Sequence, residues 1–144
     1  MQRIDVGRWR PPEAGPMQVV SGPIGRERIH FEAPAAERLR SEMTTFLEWF
    51  SRSTDDPVLR AGIAHFWSVT IHPFKDGNGR IARAIADMAL AQADGMPERF
   101  YSMSTRIEKE RKDYYAVLEK CQKGSLDITA WLDWFLACLA RAIV

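Results

Sequence analysis

Residues 72–83 read His-Pro-Phe-Lys-Asp-Gly-Asn-Gly-Arg-Ile-Ala-Arg. An imidazole, a carboxylate, a Gly-Asn-Gly run and two guanidinium groups share one short stretch. The imidazole of His72 titrates near neutrality and can take a proton from a hydroxyl. A single carboxylate, Asp76, suits Mg²⁺, which leaves much of its shell to phosphate oxygens and water. Gly77, Asn78 and Gly79 tolerate left-handed or closely approached backbone, and successive N–H groups there form an anion-binding nest. The helix expected next aims its positive end at the same point. Together these residues describe a base set beside a magnesium-bound polyphosphate.

Each part alone has a plainer reading. Asp76 could be a turn residue or helix cap, and Gly-Asn-Gly an ordinary tight turn. The arginines weigh against that. Arg80 and Arg83 fall in the first helical turn, where each cation opposes the macrodipole by ~0.3–1 kcal/mol. Arg83 has Asp87 at i+4 as a possible ion-pair partner, whereas Arg80 has Ala84 there. A bound polyphosphate would reverse the sign of the penalty. His65 can share a helix face with His72 and is read as a core residue, since a metal pair would need a third ligand. Phe74, among polar loop residues, is expected to be buried and to pin the loop.

The elements that must hold these residues are mostly helical. Met17–Ser21 and Arg26–Glu32 read as two strands around a Gly-Pro-Ile-Gly turn, a small hairpin too weak to stand alone. Leu39, Met43, Phe46, Leu47 and Phe50 follow a helical period. Asp55-Asp56-Pro57 opens a second helix that carries Leu59, Ile63, Phe66 and Trp67 towards Pro73. A helix from about Gly79 to Ala93 holds six alanines, which predicts packing from several sides, and Gly95 and Pro97 close it. Ser104–Gln122 reads as one helix with Tyr114, Tyr115 and Leu118. Asp127 or Thr129 caps a last helix through Trp131 and Phe135. Gly77-Asn-Gly79-Arg-Ile-Ala82 also fits the dinucleotide fingerprint G-x-G-x-x-A, but helices rather than a βαβ unit flank it, so a Rossmann fold is rejected.

With 144 residues and 46% apolar content the chain can form one domain with its own core. Residues 1–16 are expected to be irregular and 17–144 to form the domain, with a flap at about 17–32 and the loop at 72–79. A net charge of +1 with interspersed signs excludes a nucleic-acid-binding stripe. The start of the chain lacks an apolar signal-peptide core, and no apolar run spans a bilayer. Cys121 and Cys138 sit in apolar helical contexts and are expected as buried free thiols. A cytoplasmic protein is the expectation.

His72–Arg83 matches every fixed position of HPFxDGNGRxxR, and on these residues the chain resembles the Fic-domain proteins of the Fic/DOC superfamily. The likeness extends to Gly7–Arg10, to Val19-Val20-Ser21-Gly22, to Ala64-His65 and Ile71, to Arg111–Tyr115 with Leu118, and to Thr129, Trp131 and Phe135. It implies a mainly α Fic fold, a helical bundle with a central active-site loop-helix and a small β-hairpin flap. It also implies an enzyme that transfers AMP from ATP to a Ser, Thr or Tyr hydroxyl of a target protein. His72 would be the base and Asp76 the Mg²⁺ ligand. Gly77, Asn78 and Gly79 would form the anion hole, with the Asn78 side chain donating too. Arg80 and Arg83 would neutralise the β- and γ-phosphates. Tyr114 and Tyr115 would lie near the adenine, with Gln122 where relatives carry Asn. Val20, Ser21 and Gly22 would belong to a flap that pairs with an extended target segment.

Gly79 favours AMP transfer over γ-phosphoryl transfer, because the phosphorylating branch of the family departs from Gly-Asn-Gly there. The family's inhibitory Ser/Thr-x-x-x-Glu-Gly/Asn motif, whose Glu pairs with the position of Arg83, has no match in this chain. Inhibition is therefore expected from an upstream region or a separate antitoxin-like protein. AMP removal and nucleotide binding without turnover are the rival readings. The first usually needs a positioned glutamate, and the second needs no base at His72.

Overall fold

The computed structural model describes residues 7–94 and 102–143. The helix stop expected at Gly95 and Pro97, and part of the N-terminal segment, lie outside these residues. After a short 3-10 turn at Pro12–Ala14 come two strands, β1 (Gln18–Ser21) and β2 (Arg28–Glu32). They pair antiparallel, with Val19 opposite Phe31, Val20 opposite Ile29 and Ser21 opposite Arg28. The register shifts between Val19 and Val20, so His30 is left over as a bulge residue. This is the expected hairpin.

Six helices follow among the described residues: α1 (Leu39–Arg52), α2 (Pro57–Ile71), α3 (Asn78–Asp94), α4 (Met103–Lys109), α5 (Arg111–Lys123) and α6 (Thr129–Ile143). α2 starts where the sequence said it would. The Asp56 carboxylate accepts from Val58 N at 2.9 Å and Leu59 N at 3.2 Å. Pro57 sits in the first turn, where no intrahelical N–H is lost.

α2 is the helix against which α1, α3 and α6 all pack. Its small residues allow this. A Cβ on Gly62 would lie 3.0 Å from Phe135 Cδ1 and 3.1 Å from Leu132 Cδ2. The Gly62 carbonyl instead accepts from Trp131 Nε1 at 2.8 Å. The main core gathers Trp131, Phe135, Leu90, Met103, Ile107 and Leu118. A second cluster joins Leu39, Met43 and Phe46 of α1 to Ala64 and Ile71 of α2.

Several expectations change. α3 is not covered on several sides. It buries Ala82, Ala86, Ala89 and Leu90, while Ile81, Ala84 and Met88 form an exposed stripe. Alanine carries so little apolar area that a run of it does not say which face is covered. Leu47, counted in the apolar period of α1, is half-exposed.

The expected single helix over Ser104–Gln122 is two. Glu110 leaves helical geometry at φ −111°, ψ 26°, and its N–H is shared between the Arg106 and Ile107 carbonyls, both at 3.1 Å. A tertiary contact sits at the break: the Glu110 carboxylate receives Arg141 from α6 as well as Arg106 from α4, which holds the chain there. Cys121 and Cys138 are buried and free, and burial pushes the Cys138 thiol up to about 11. No helix among the described residues is long and apolar enough to cross a membrane.

Candidate active site

His72 ends α2 in left-handed geometry, at φ 53°, ψ 58°. That position usually belongs to glycine, and a side chain there costs of order 1–3 kcal/mol unless its surroundings over-determine it. They do. The His72 N–H donates to Ser68 O at 3.1 Å. Arg10 Nε donates to the His72 carbonyl at 2.7 Å, and its Nη2 reaches Ile71 O at 3.2 Å and also Pro34 O. The Arg10 backbone N–H donates to Pro73 O at 2.8 Å. Arg10 is only 3% exposed. It places a guanidinium on the carbonyl end of α2, where the helix dipole favours a cation, and it ties the N-terminal segment and the flap base to the turn that carries His72.

Burial, the leading cause, and the Arg10 charge lower the His72 pKa, and the nearby Val69 carbonyl opposes them. The ring is therefore neutral at pH 7 and able to accept a proton. Nδ1 is buried with no partner at hydrogen-bond geometry. With Nδ1 buried, Nε2 is the ring atom left to act as the base.

The loop closes through a clasp. Asn78 Oδ1 accepts from Phe74 N at 2.9 Å, and Nδ2 donates to Phe74 O at 2.8 Å. Asn78 is 4% exposed, so this side chain holds the loop's shape. Pro73 is fully buried, whereas Phe74 is only half-buried. Pro73 and the Asn78 clasp, rather than Phe74, pin the loop. Gly77 takes φ +82°, with open space around it. Its N–H is used by Asp76 Oδ1 at 2.8 Å. Asp76 itself is exposed at the rim. The first amides of α3, at Asn78, Gly79 and Arg80, have no helical carbonyl four residues back.

Two adjoining cavities meet at His72. One, of about 440 Å³, is lined by Asp76, Gly77, Asn78, Gly79 and by the cations Lys75, Arg80, Arg83 and Arg111. The other, of about 810 Å³, lies between the flap and α5 and is more apolar. Val19, Val20 and Ser21 line it from β1, and Leu118, Glu119 and Gln122 from α5. His72, Gly79, Arg83, Arg111, Tyr114 and Tyr115 border both. The structure thus brings Val20, Ser21, Tyr114, Tyr115 and Gln122 around the same base as the loop residues. Gly22 is not among the lining residues; it opens the hairpin turn at φ +101°.

Tyr114 is one of the residues that border both cavities, and the core fixes it. Its hydroxyl lies 2.8 Å from His65 Nε2. His65 is wholly buried and stacks on Trp131 at 5.3 Å. Burial, aided by the Arg83 charge, takes the His65 pKa down to about 3, so this ring stays neutral. His65 is a core residue. Among the described residues no three metal-ligating side chains gather. Gln122 Nε2 donates to Thr70 Oγ1 at 3.1 Å, which leaves Oε1 as an acceptor.

Sequence reading alone assigned no role to Arg10, to Arg111 or to the Asn78 clasp. Arg111 could have been found, because it opens the helix of Tyr114 and Tyr115, and its guanidinium lies 5.7 Å from the Tyr115 ring centre. Arg10 left no local signal beyond its place in a Gly-Arg-Trp-Arg run.

The comparisons with known proteins agree with this geometry. The profile of the Fic/DOC family matches residues 1–90. Protein adenylyltransferase fic-1 of Caenorhabditis elegans is 33% identical over 129 residues, covering 88% of this chain and 23% of that protein. Protein adenylyltransferase Fic of Nematostella vectensis is 33% identical over 113 residues, 76% of this chain and 25% of that protein. A Fic family protein from Desulfovibrio desulfuricans superimposes with a TM-score of 0.77 at 27% identity, over 96% of this chain and 40% of that one. A Fic domain-containing signaling protein from Bacteroides thetaiotaomicron gives 0.72 at 26%, over 97% and 53%. The chain spans about a quarter of the length of the curated relatives it matches. With its family profile, its loop and its mainly helical, flap-bearing fold in agreement, this chain belongs to the Fic/DOC family.

Proposed function

We propose that this chain is a protein adenylyltransferase that moves AMP from ATP to a Ser, Thr or Tyr hydroxyl of a target protein. One observation carries the reading. A strained, neutral imidazole stands where a cation-lined cavity meets a more apolar one, the arrangement a base needs between a polyphosphate and a nucleoside. A module that only binds nucleotide has no use for a base held at such cost.

In this mechanism His72 Nε2 takes the proton from the target hydroxyl. The oxygen attacks the α-phosphorus, the bond from that phosphorus to the bridging oxygen breaks, and pyrophosphate leaves. Arg80 and Arg83 stabilise the charge on the β- and γ-phosphates, while the first amides of α3 receive the α-phosphate oxygens. Asp76 would hold Mg²⁺. It is an exposed carboxylate at the rim of the same cavity, which Glu108 also lines, with one oxygen on the Gly77 amide and further lone pairs, a donor that fits an ion bound mostly by phosphate. When bound, that ion neutralises phosphate charge. Tyr115 and Tyr114 flank the nucleoside, and Gln122 Oε1 can accept from the exocyclic amine of adenine. An extended target segment pairs with the flap by strand addition.

Residues 17–144 would form the transferring domain, with Arg10 of the segment before it fixing the base. We place the reaction in the cytoplasm, where the two buried free thiols stay reduced. Arg83 is the point where an inhibitory glutamate, from another part of the protein or from an antitoxin-like partner, would act.

The test uses ATP labelled at the α-phosphate and, in parallel, at the γ-phosphate, with the protein in a lysate. Protein labelling from the α-label alone supports the proposal. Labelling from the γ-label alone overturns it.

A further inference from the structure

The flap carries a feature that the transfer chemistry does not use. Three groups converge on the Glu119 carboxylate of α5. His30 Nδ1 lies 2.8 Å from Oε2, Arg28 Nη2 donates to Oε1 at 2.8 Å, and Lys123 Nζ reaches Oε1 at 2.8 Å. The other His30 nitrogen, Nε2, is in hydrogen-bond contact with Ser21 Oγ across the hairpin. Lys123 is an ordinary i+4 helix partner, and an exposed ion pair of that kind contributes little. The His30 contact differs: its two side chains are only 23% and 18% exposed and come from different elements 89 residues apart, whereas Arg28, 91 residues away, is 69% exposed and adds little.

His30 is also the bulge residue of β2. A bulge gives up ladder pairing in order to re-aim a side chain, and this one puts an imidazole on Glu119. The hairpin needs the support, since two strands alone are marginal in water. Its base is closed by Ala33 N donating to Met17 O at 2.9 Å and by Arg10 on Pro34 O. Beyond the base, β2 packs against α5.

We propose that Glu119 is a positioning residue that latches the flap over the cleft through His30 and Arg28. The flap is one wall of the 810 Å³ cavity, and His30, Arg28 and Glu119 all line it. Releasing the latch removes that wall and lets the strand edge, on which the proposed function seats a protein segment, swing away from His72. The latch thereby couples occupancy of the cavity to readiness of the docking edge. Its purpose rests on the proposed function, but its existence does not.

The test is amide hydrogen exchange on the whole chain, which needs no catalysis. Wild type is compared with Glu119→Ala and, from the other side, with His30→Ala. Both variants should speed exchange in the flap amides around Val19–Val20 and Ile29–Phe31 about tenfold, with the amides of α2 and α3 unchanged. Glu119→Gln, which keeps an acceptor and loses the charge, should fall between. Titration with ATP should show weaker binding by Glu119→Ala at an unaltered melting temperature. Flap exchange equal to wild type in both alanine variants overturns the latch. So does a uniform speed-up across the chain, which would make Glu119 a stability residue only. A selective flap effect in a protein that transfers no α-label would keep the latch and refute the proposed function.

Discussion

Acid should destabilise this protein through His65 before it titrates the carboxylates. The ring is wholly buried against Trp131 and held near a pKa of about 3, against 6.5 in an unfolded chain. The folded state therefore binds fewer protons between these values, and stability falls as pH drops through 6.5. At pH 5 the unfolded ring is almost fully protonated and the folded ring is not, which costs about 2 kcal/mol relative to pH 7. Against a domain stability of roughly 5–15 kcal/mol that is a large share. With a urea slope of about 1–3 kcal/mol/M the midpoint should fall by ~1 M. The assay is urea unfolding followed by circular dichroism from pH 7 to pH 5, in wild type and in His65→Phe. The phenylalanine keeps a ring against Trp131 and cannot titrate. His72, also lowered, adds a loss of the same sign in both proteins, so their difference isolates His65. Equal pH slopes would refute the reasoning.

Arg10→Ala should cost about 2–4 kcal/mol, because it takes the guanidinium donor from the buried Ile71 carbonyl and the part-buried His72 and Pro34 carbonyls. It should lower kcat more than it weakens ATP binding, as read by single-turnover transfer beside titration calorimetry; Arg10→Lys restores charge but not the fork. Gly62→Ala forces a Cβ to 3.0 Å from Phe135 and should cost about 1–3 kcal/mol by thermal unfolding, with nucleotide affinity unchanged. The acid limb of the pH–rate profile should lie below pH 6.5, as the lowered His72 pKa requires, and a limb above 6.5 would contradict that assignment.

The loop was legible because its parts are contiguous: a base, a carboxylate, glycines and arginines in order, followed by a helix start. The hairpin and the Asp56 cap were legible for the same reason. What escaped depends on partners far away in sequence. Arg10 reaches His72 across 62 residues, and Glu119 reaches His30 across 89. The break at Glu110 is held in part by Arg141, 31 residues on, so helical periodicity ran straight through it. The family resemblance implies a donor role for the Asn78 side chain. Its bonds to Phe74 show that shaping the loop already occupies it.

The central claim is that His72 is a base and not a binding group, and His72→Ala tests it most directly. In a single turnover with α-labelled ATP and the acceptor protein present, transfer should fall by ~10²–10⁴-fold, the range for removal of a general base. The dissociation constant for ATP should stay within about twofold, since the phosphates are held by the loop and the arginines. Undiminished transfer, or a loss matched by an equal loss of ATP binding, would contradict the account.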